Sequence, residues 1–229
     1  MEIKNPPKNR KPKIAIDGPA GAGKSTVARE ISKRLKIKYL DTGAMYRAIT
    51  LKVIRKDVDI SDSDALARML ASTLVQINND NRVFLDGEDV TEEIRNTNVN
   101  KMVSPVSCIS EVRRRLVKMQ QQIAAESVGI IMEGRDIASI VMPDADYKFY
   151  LDASVEERAR RRMKEQQAKG INLNEKEVAA EITNRDKIDS SREDSPLTIV
   201  NDAIIIDTTN LSFEEVVEKI TGIITSDPS

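Results

Sequence analysis

The residues richest in chemical content are Gly18-Pro19-Ala20-Gly21-Ala22-Gly23-Lys24-Ser25. They complete the pattern G-x-x-x-x-G-K-[ST], a loop whose small residues let successive backbone N–H groups turn inward around phosphate oxygens. Ile14-Ala15-Ile16 reads as an apolar strand entering the loop, and Val27, Ala28, Ile31 and Leu35 as one face of a helix leaving it. The start of that helix adds partial positive charge at the same place. Lys24 is expected to reach the β- and γ-phosphates of a nucleoside triphosphate, and the Ser25 hydroxyl to take part in holding Mg²⁺.

Four further segments carry charge at places where it could act. Asp41-Thr42-Gly43-Ala44-Met45-Tyr46-Arg47 follows the second strand, at the sheet edge where ligands of α/β proteins bind. Arg47 either faces the cleft and grips a second phosphate or is a solvated surface arginine, and spacing leaves both open. Glu133-Gly134-Arg135-Asp136 ends the apolar run Ile130-Ile131-Met132. Its first carboxylate suits hydrated Mg²⁺, and Arg135 and Asp136 would project into the same cleft; the plainer reading is a charged strand-ending turn. In Glu156–Lys164, positions Arg158, Arg161 and Arg162 share a helix face. Such arginines can close over a transferring phosphoryl group and exclude water, although a solvated face or RNA binding would use the same residues. Arg185, Asp189 and Arg192 share a face if their helix continues, as a phosphate-and-ribose site or as a salt-bridge ladder.

Composition removes several chemistries. The 229 residues contain no histidine, which excludes a Ser-His-Asp triad, a Cys-His dyad and imidazole metal sites. Phosphoryl transfer survives, because it depends on positioning and positive charge more than on a strong base. Cys108 is the sole cysteine, so no internal disulfide forms; it is expected to be a buried structural thiol, compatible with a cytoplasmic location. A net charge of −1 and 3% aromatic residues argue against a general nucleic-acid binder. No run of about 18 apolar residues is present, so no membrane span is expected. The first 12 residues, polar and basic, read as a loose tail without a signal-peptide core.

The elements that must position these groups alternate strand and helix, which predicts an α/β domain over 13–229 with a five-stranded parallel sheet flanked by helices. Expected strands are Lys13–Asp17, Lys38–Asp41, Gly129–Glu133, Tyr147–Asp152 and Ala203–Thr208. Ile130-Ile131-Met132 and Ile204-Ile205-Ile206 look apolar on both faces, as strands covered from both sides would be. Ser154 and Ser212 open capping boxes, Asn174 is a cap, and Ser110 is expected to cap a helix lined by Val112, Leu116, Met119 and Ile123. About 60–100 breaks the rhythm: a short helix from Asp62, then the runs Val75–Ile77 and Arg82–Leu85, predict a small antiparallel insert.

Taken together, Ile16–Thr26, Asp41–Arg47, Gly87–Arg95, Glu133–Asp136, Phe149–Ser154 and Glu157–Arg162 resemble the bacterial-type cytidylate kinases, within the P-loop nucleoside monophosphate kinases. The resemblance spans Lys13 to about Ile223, with Glu133 standing where an aspartate is common. It implies transfer of the γ-phosphoryl group of Mg-ATP to CMP or dCMP, in pyrimidine nucleotide metabolism. It implies an ATP site at Gly18, Pro19, Ala20, Gly21, Ala22, Gly23, Lys24, Ser25 and Thr26, with Ser25 on the metal. Arg47, Arg135 and Arg192 would take the acceptor phosphate, beside Thr42 and Tyr46. Ser104, Arg113 and Asp136 would read cytosine, and Asp189, with Arg185 nearby, the ribose. Lys24, Arg135, Arg158 and Arg162 would be catalytic, the last two from a lid at about 155–175; the insert would bind nucleotide. ATP and CMP or dCMP are the expected partners of a cytoplasmic monomer, with no nucleic-acid or membrane partner. A UMP or shikimate acceptor, an RNA-binding module and a slow nucleotide-hydrolysing switch are the competing readings.

Overall fold

A computed structural model describes residues 11–78, 80–168, 170 and 174–226. Most of the expected tail, and residues 169 and 171–173 of the expected lid, lie outside them. The chain divides into two compact units, one formed by residues 1–39 and 127–229, the other by 40–126.

The first unit is built around strand β1 (Lys13–Asp17), buried from Ile14 onward. Helix α1 (Lys24–Leu35) follows the loop, and β2 (Lys38–Asp41) follows α1. Later come β6 (Ile130–Gly134), β7 (Tyr147–Asp152), α6 (Val155–Gln167), α7 (Glu175–Ser191), β8 (Ile204–Asp207) and α8 (Phe213–Thr225). The sheet order is β2-β6-β1-β7-β8. Parallel pairing sets Asp17 beside Gly134 of β6 on one side and Tyr150 of β7 on the other. From β1 the chain moves out to one side of the sheet and later, by way of β7, to the other. The loop after β1 therefore opens at the switch point where α/β sheets bind ligands. Ile16, Val27, Ile31, Phe149, Leu151 and Val217 are in one apolar cluster that packs α1 and α8 on the sheet.

The five parallel strands and their flanking helices are as expected, with local corrections, among them the bounds of β6 and β8. β6 is buried at every position, but the three isoleucines of β8 are not. β8 is the last strand of the sheet; Ile206 is inaccessible while Ile205 is 57% exposed. An edge strand with one uncovered face alternates, whatever the apolarity of its run. Ser110 is the first residue of its helix rather than its cap. Ser212 forms the full capping box, whereas Ser154 and Asn174 accept a backbone N–H at their helix starts.

In the second unit Asp41 caps α2 (Thr42–Arg55) and Asp62 caps α3 (Ser63–Ala71). Strands β3 (Val75–Ile77), β4 (Val83–Leu85) and β5 (Glu88–Asp89) form an antiparallel sheet, in the stretch expected to break the α/β rhythm. A short helical turn (Glu93–Arg95), α4 (Thr97–Ser107) and α5 (Ser110–Glu126) complete it. The buried Lys52 amine is matched by Asp86 at 2.7 Å and the Ser72 carbonyl at 3.1 Å. Cys108, just after α4, is half-buried, not the fully buried thiol expected. No described helix is long and apolar enough to cross a membrane.

Gly18 is where the sheet and the loop meet. It has φ +146°, and a Cβ there would lie 2.0 Å from the Leu151 carbonyl oxygen of β7. No side chain can give way, because the obstacle is backbone. Gly18→Ala is expected to cost about 2 kcal/mol or more in urea unfolding, with the loss of nucleotide binding as a second readout.

Candidate active site

The amino end of α1 differs from most helix starts in the chain. Asp41, Asp62, Asn96, Ser154, Asn174 and Ser212 each accept a backbone N–H at the start of their helices. At α1 the cap is Gly23, with φ 88°, no side-chain cap bond and no acidic residue in the first turn. Its first N–H groups and the positive end of its dipole are left for an anion. The Thr26 hydroxyl turns back to the Gly23 carbonyl at 2.8 Å and stiffens that turn.

Lys24, the first residue of α1, is 5% exposed. Its Nζ donates to the Pro19 carbonyl at 2.7 Å, folding the side chain along the loop. Burial, with Arg135 adding to it, pushes its pKa down to about 7, against the opposing pull of Glu133. Glu133, also 5% exposed, accepts the Ser25 hydroxyl at 2.6 Å and the Tyr39 hydroxyl at 3.3 Å on one oxygen. Ser25 and Glu133 thus converge two hard oxygen donors beside the loop. No group of three or more His, Cys, Asp or Glu side chains could hold a metal among the described residues. The pair nevertheless fits a small hard cation that keeps waters and phosphate oxygens as its other ligands.

Asp17 ends β1 and carries a role that sequence reasoning left unassigned. It is 2% exposed and accepts the N–H groups of Ile137 and Ala138 at 2.9 and 2.8 Å. Burial raises its pKa to about 6 despite those two bonds. Asp17 thereby fixes the wide turn Ile137–Val141, and with it the preceding Arg135 and Asp136. Arg135 Nε donates to Asp189 at 2.8 Å. Arg192 lies 3.8 Å from Asp189 and 4.0 Å from Asp136. Although burial opposes it, the Asp189 carboxyl is held below its ordinary range by Arg135, Arg185 and Arg192. Arg135, Asp136, Arg185, Asp189 and Arg192 therefore form one charged group in the first unit, with Asp189 at its centre.

The arginines of α6 have different surroundings. Arg158, in the first turn, is buried: Nε donates to Ala153 carbonyl at 2.9 Å, and Nη1 to Ala20 carbonyl at 3.1 Å and Asp186 at 2.6 Å. Arg161 is held by Glu157 and by the Thr208 hydroxyl and carbonyl. Arg162, half-buried, has Glu165 at 3.9 Å. Asp186 went unassigned in the sequence because its ion pair spans 28 residues, beyond any helical spacing.

In the second unit, Arg113 is 2% exposed, lies 5.4 Å over the Tyr46 ring and donates to the Ser107 carbonyl at 3.1 Å. The Ser107 hydroxyl bonds the Ser104 carbonyl at 2.9 Å, so Tyr46, Arg113 and Ser104 are linked through neighbouring groups. Thr42 is buried at the start of α2, and Arg47 stands 3.9 Å from Asp41.

The sequence profile of the cytidylate kinase family matches residues 14–226. A cytidylate kinase of Caldanaerobacter subterraneus subsp. tengcongensis is 54% identical over 208 residues, covering 91% of this chain and 92% of the relative. One of Pelotomaculum thermopropionicum is 53% identical over 216 residues, covering 93% and 95%. Among solved structures, a gluconokinase from Sinorhizobium meliloti 1021 is similar with TM-score 0.50 and 11% identity, covering 95% of this chain and 94% of its own. That last likeness is one of fold alone.

The lowered Lys24 pKa has a measurable consequence. Above about 7 the amine stands largely neutral, and a phosphate beside it raises its proton affinity. Binding of ADP at about pH 8 is therefore expected to take up a fraction of a proton, and affinity to weaken as pH climbs. Titration calorimetry in buffers of different ionisation heat checks this; Lys24→Met should abolish the uptake.

Proposed function

The chain belongs to the cytidylate kinase family, and we propose that it transfers the γ-phosphoryl group of Mg-ATP to CMP or dCMP, giving ADP and CDP or dCDP. The observation that carries the donor half is the uncapped amino end of α1 with the buried Lys24 at its first position. Helix N–H groups and a desolvated amine at one place favour a polyphosphate over any neutral ligand.

On this reading Gly18–Thr26 bind ATP, with Lys24 on the transferring phosphate. Ser25 and Glu133 are the residues that would hold Mg²⁺, which when bound neutralises phosphate charge. Arg135, Arg158 and Arg162 balance the charge that develops in transfer, the latter two from a lid at about 155–175. Arg47, Arg135 and Arg192 take the acceptor phosphate, beside Thr42 and Tyr46. Ser104, Arg113 and Asp136 read cytosine, Asp189 with Arg185 the ribose, and the insert at about 60–100 contributes to acceptor binding. Buried polar groups of this kind discriminate strongly, because a wrong base leaves them unpaired. Transfer is direct and in line, since two aligned phosphates need no covalent intermediate. The protein acts on free nucleotides as a cytoplasmic monomer without membrane partners, and the near-neutral net charge argues against nucleic-acid partners.

ADP release with CMP, dCMP, UMP and AMP as separate acceptors, with a no-acceptor control, tests the reading. CMP or dCMP is expected to exceed AMP by about a hundredfold or more in kcat/KM. Preference for UMP would overturn the Ser104, Arg113 and Asp136 assignment and leave the phosphoryl chemistry. Glu133→Gln is expected to raise the Mg²⁺ concentration for half-maximal rate by about tenfold, with the KM for CMP little changed.

A further inference from the structure

We propose that Asp186 is a positioning residue: from α7 it fixes the Arg158 guanidinium, and through it the backbone of the phosphate loop. The inference rests on the kinase reading for the identity of the donor nucleotide.

The Arg158 side chain is 5% exposed and the Asp186 side chain 21%. Their bond, Nη1 to Oδ2 at 2.6 Å, shares its donor atom with the Ala20 carbonyl at 3.1 Å. Ala20 is inside the loop that the sequence marks for phosphate. The next residue, Gly21, lies directly on α6: a Cβ there would come within 3.1 Å of Arg158 Cβ and 3.3 Å of the Arg158 carbonyl oxygen. The first turn of α6 is therefore a floor under the loop, and Arg158 is its one side chain bonded to a loop carbonyl among the described residues.

Asp186 accepts the Arg158 guanidinium through Oδ2. Its Oδ1 is buried and accepts no hydrogen bond from any described residue. Its charge also acts on Arg135, but its hydrogen-bonded partner is Arg158, so what it positions is the Arg158 guanidinium. Removing the carboxylate would leave that guanidinium a choice among carbonyls. The tie to Ala20 would loosen, and the loop N–H groups would lose part of their preorganisation toward phosphate.

The same helix carries Asp189, which takes Arg135 at 2.8 Å. α7 thus holds the phosphate loop through Asp186 and the end of β6 through Asp189. The two ties use different hydrogen bonds, Asp186 to Arg158 and Asp189 to Arg135, although the charge of Asp186 also reaches Arg135.

The test uses the full chain with Asp186→Ala, Asp186→Asn and Asp186→Glu. ADP affinity is measured by titration calorimetry without acceptor, and KM for ATP and for CMP in the coupled assay. Asp186→Ala is expected to weaken ADP and raise the KM for ATP by about tenfold, with the KM for CMP changed less than about twofold. Asp186→Glu should recover most of the loss. Asp186→Asn, which keeps shape, serves if the alanine variant folds poorly. In a double-mutant cycle with Arg158→Ala, the two losses in ADP affinity should be far from additive. Normal ADP affinity in variants that are merely less stable would overturn the proposal, as would equal rises in both KM values or additive losses in the cycle. If CMP proves not to be the acceptor, the ADP measurements still decide the role of Asp186.

Discussion

Lys24 is an amine taken out of water at the mouth of a parallel sheet, and much of the first unit is arranged around that constraint. The amine cannot be left to solvent, so its side chain lies along the loop against the Pro19 carbonyl, with Glu133 as the nearby carboxylate that favours its charge. Those contacts do not restore the proton affinity of a solvated lysine. The helix that Lys24 begins is also left without a side-chain cap. A desolvated amine and unmet N–H groups coincide, and an anionic phosphate satisfies both.

The surrounding carboxylates form a scaffold for cations. Asp17 spends both oxygens on backbone N–H groups and so sets the direction in which β6 hands its chain to Arg135 and Asp136. Asp189 gathers Arg135 and Arg192, and Asp186 fixes Arg158. Buried ion pairs add little net stability once desolvation is counted, but breaking one leaves a charge without a partner. Such pairs specify positions more than they strengthen the fold. That is the property a phosphoryl-transfer site needs, because its catalysis is positioning plus electrostatics.

The second unit places a buried arginine against an aromatic face. Arg113 lies over the face of Tyr46 and donates to the Ser107 carbonyl, and it is buried there. Cation–π contact tolerates a desolvated arginine at small cost.

Whatever depends on neighbours in sequence was legible without the structure. The phosphate loop, three of the five parallel strands to the residue, and the caps at Ser154, Asn174 and Ser212 follow from local φ/ψ preferences and short hydrogen bonds. What only the tertiary structure decided are the pairings between distant residues. Ser25 meets Glu133 across 108 residues, Asp17 meets Ile137 across 120, and Arg158 meets Asp186 across 28. None of these leaves a periodic trace, because a charged residue in isolation reads equally well as solvated decoration. The exposure of Ile205 belongs with them: three isoleucines in a row state that a strand is apolar, and only its place at the edge of the sheet decides which face is left uncovered.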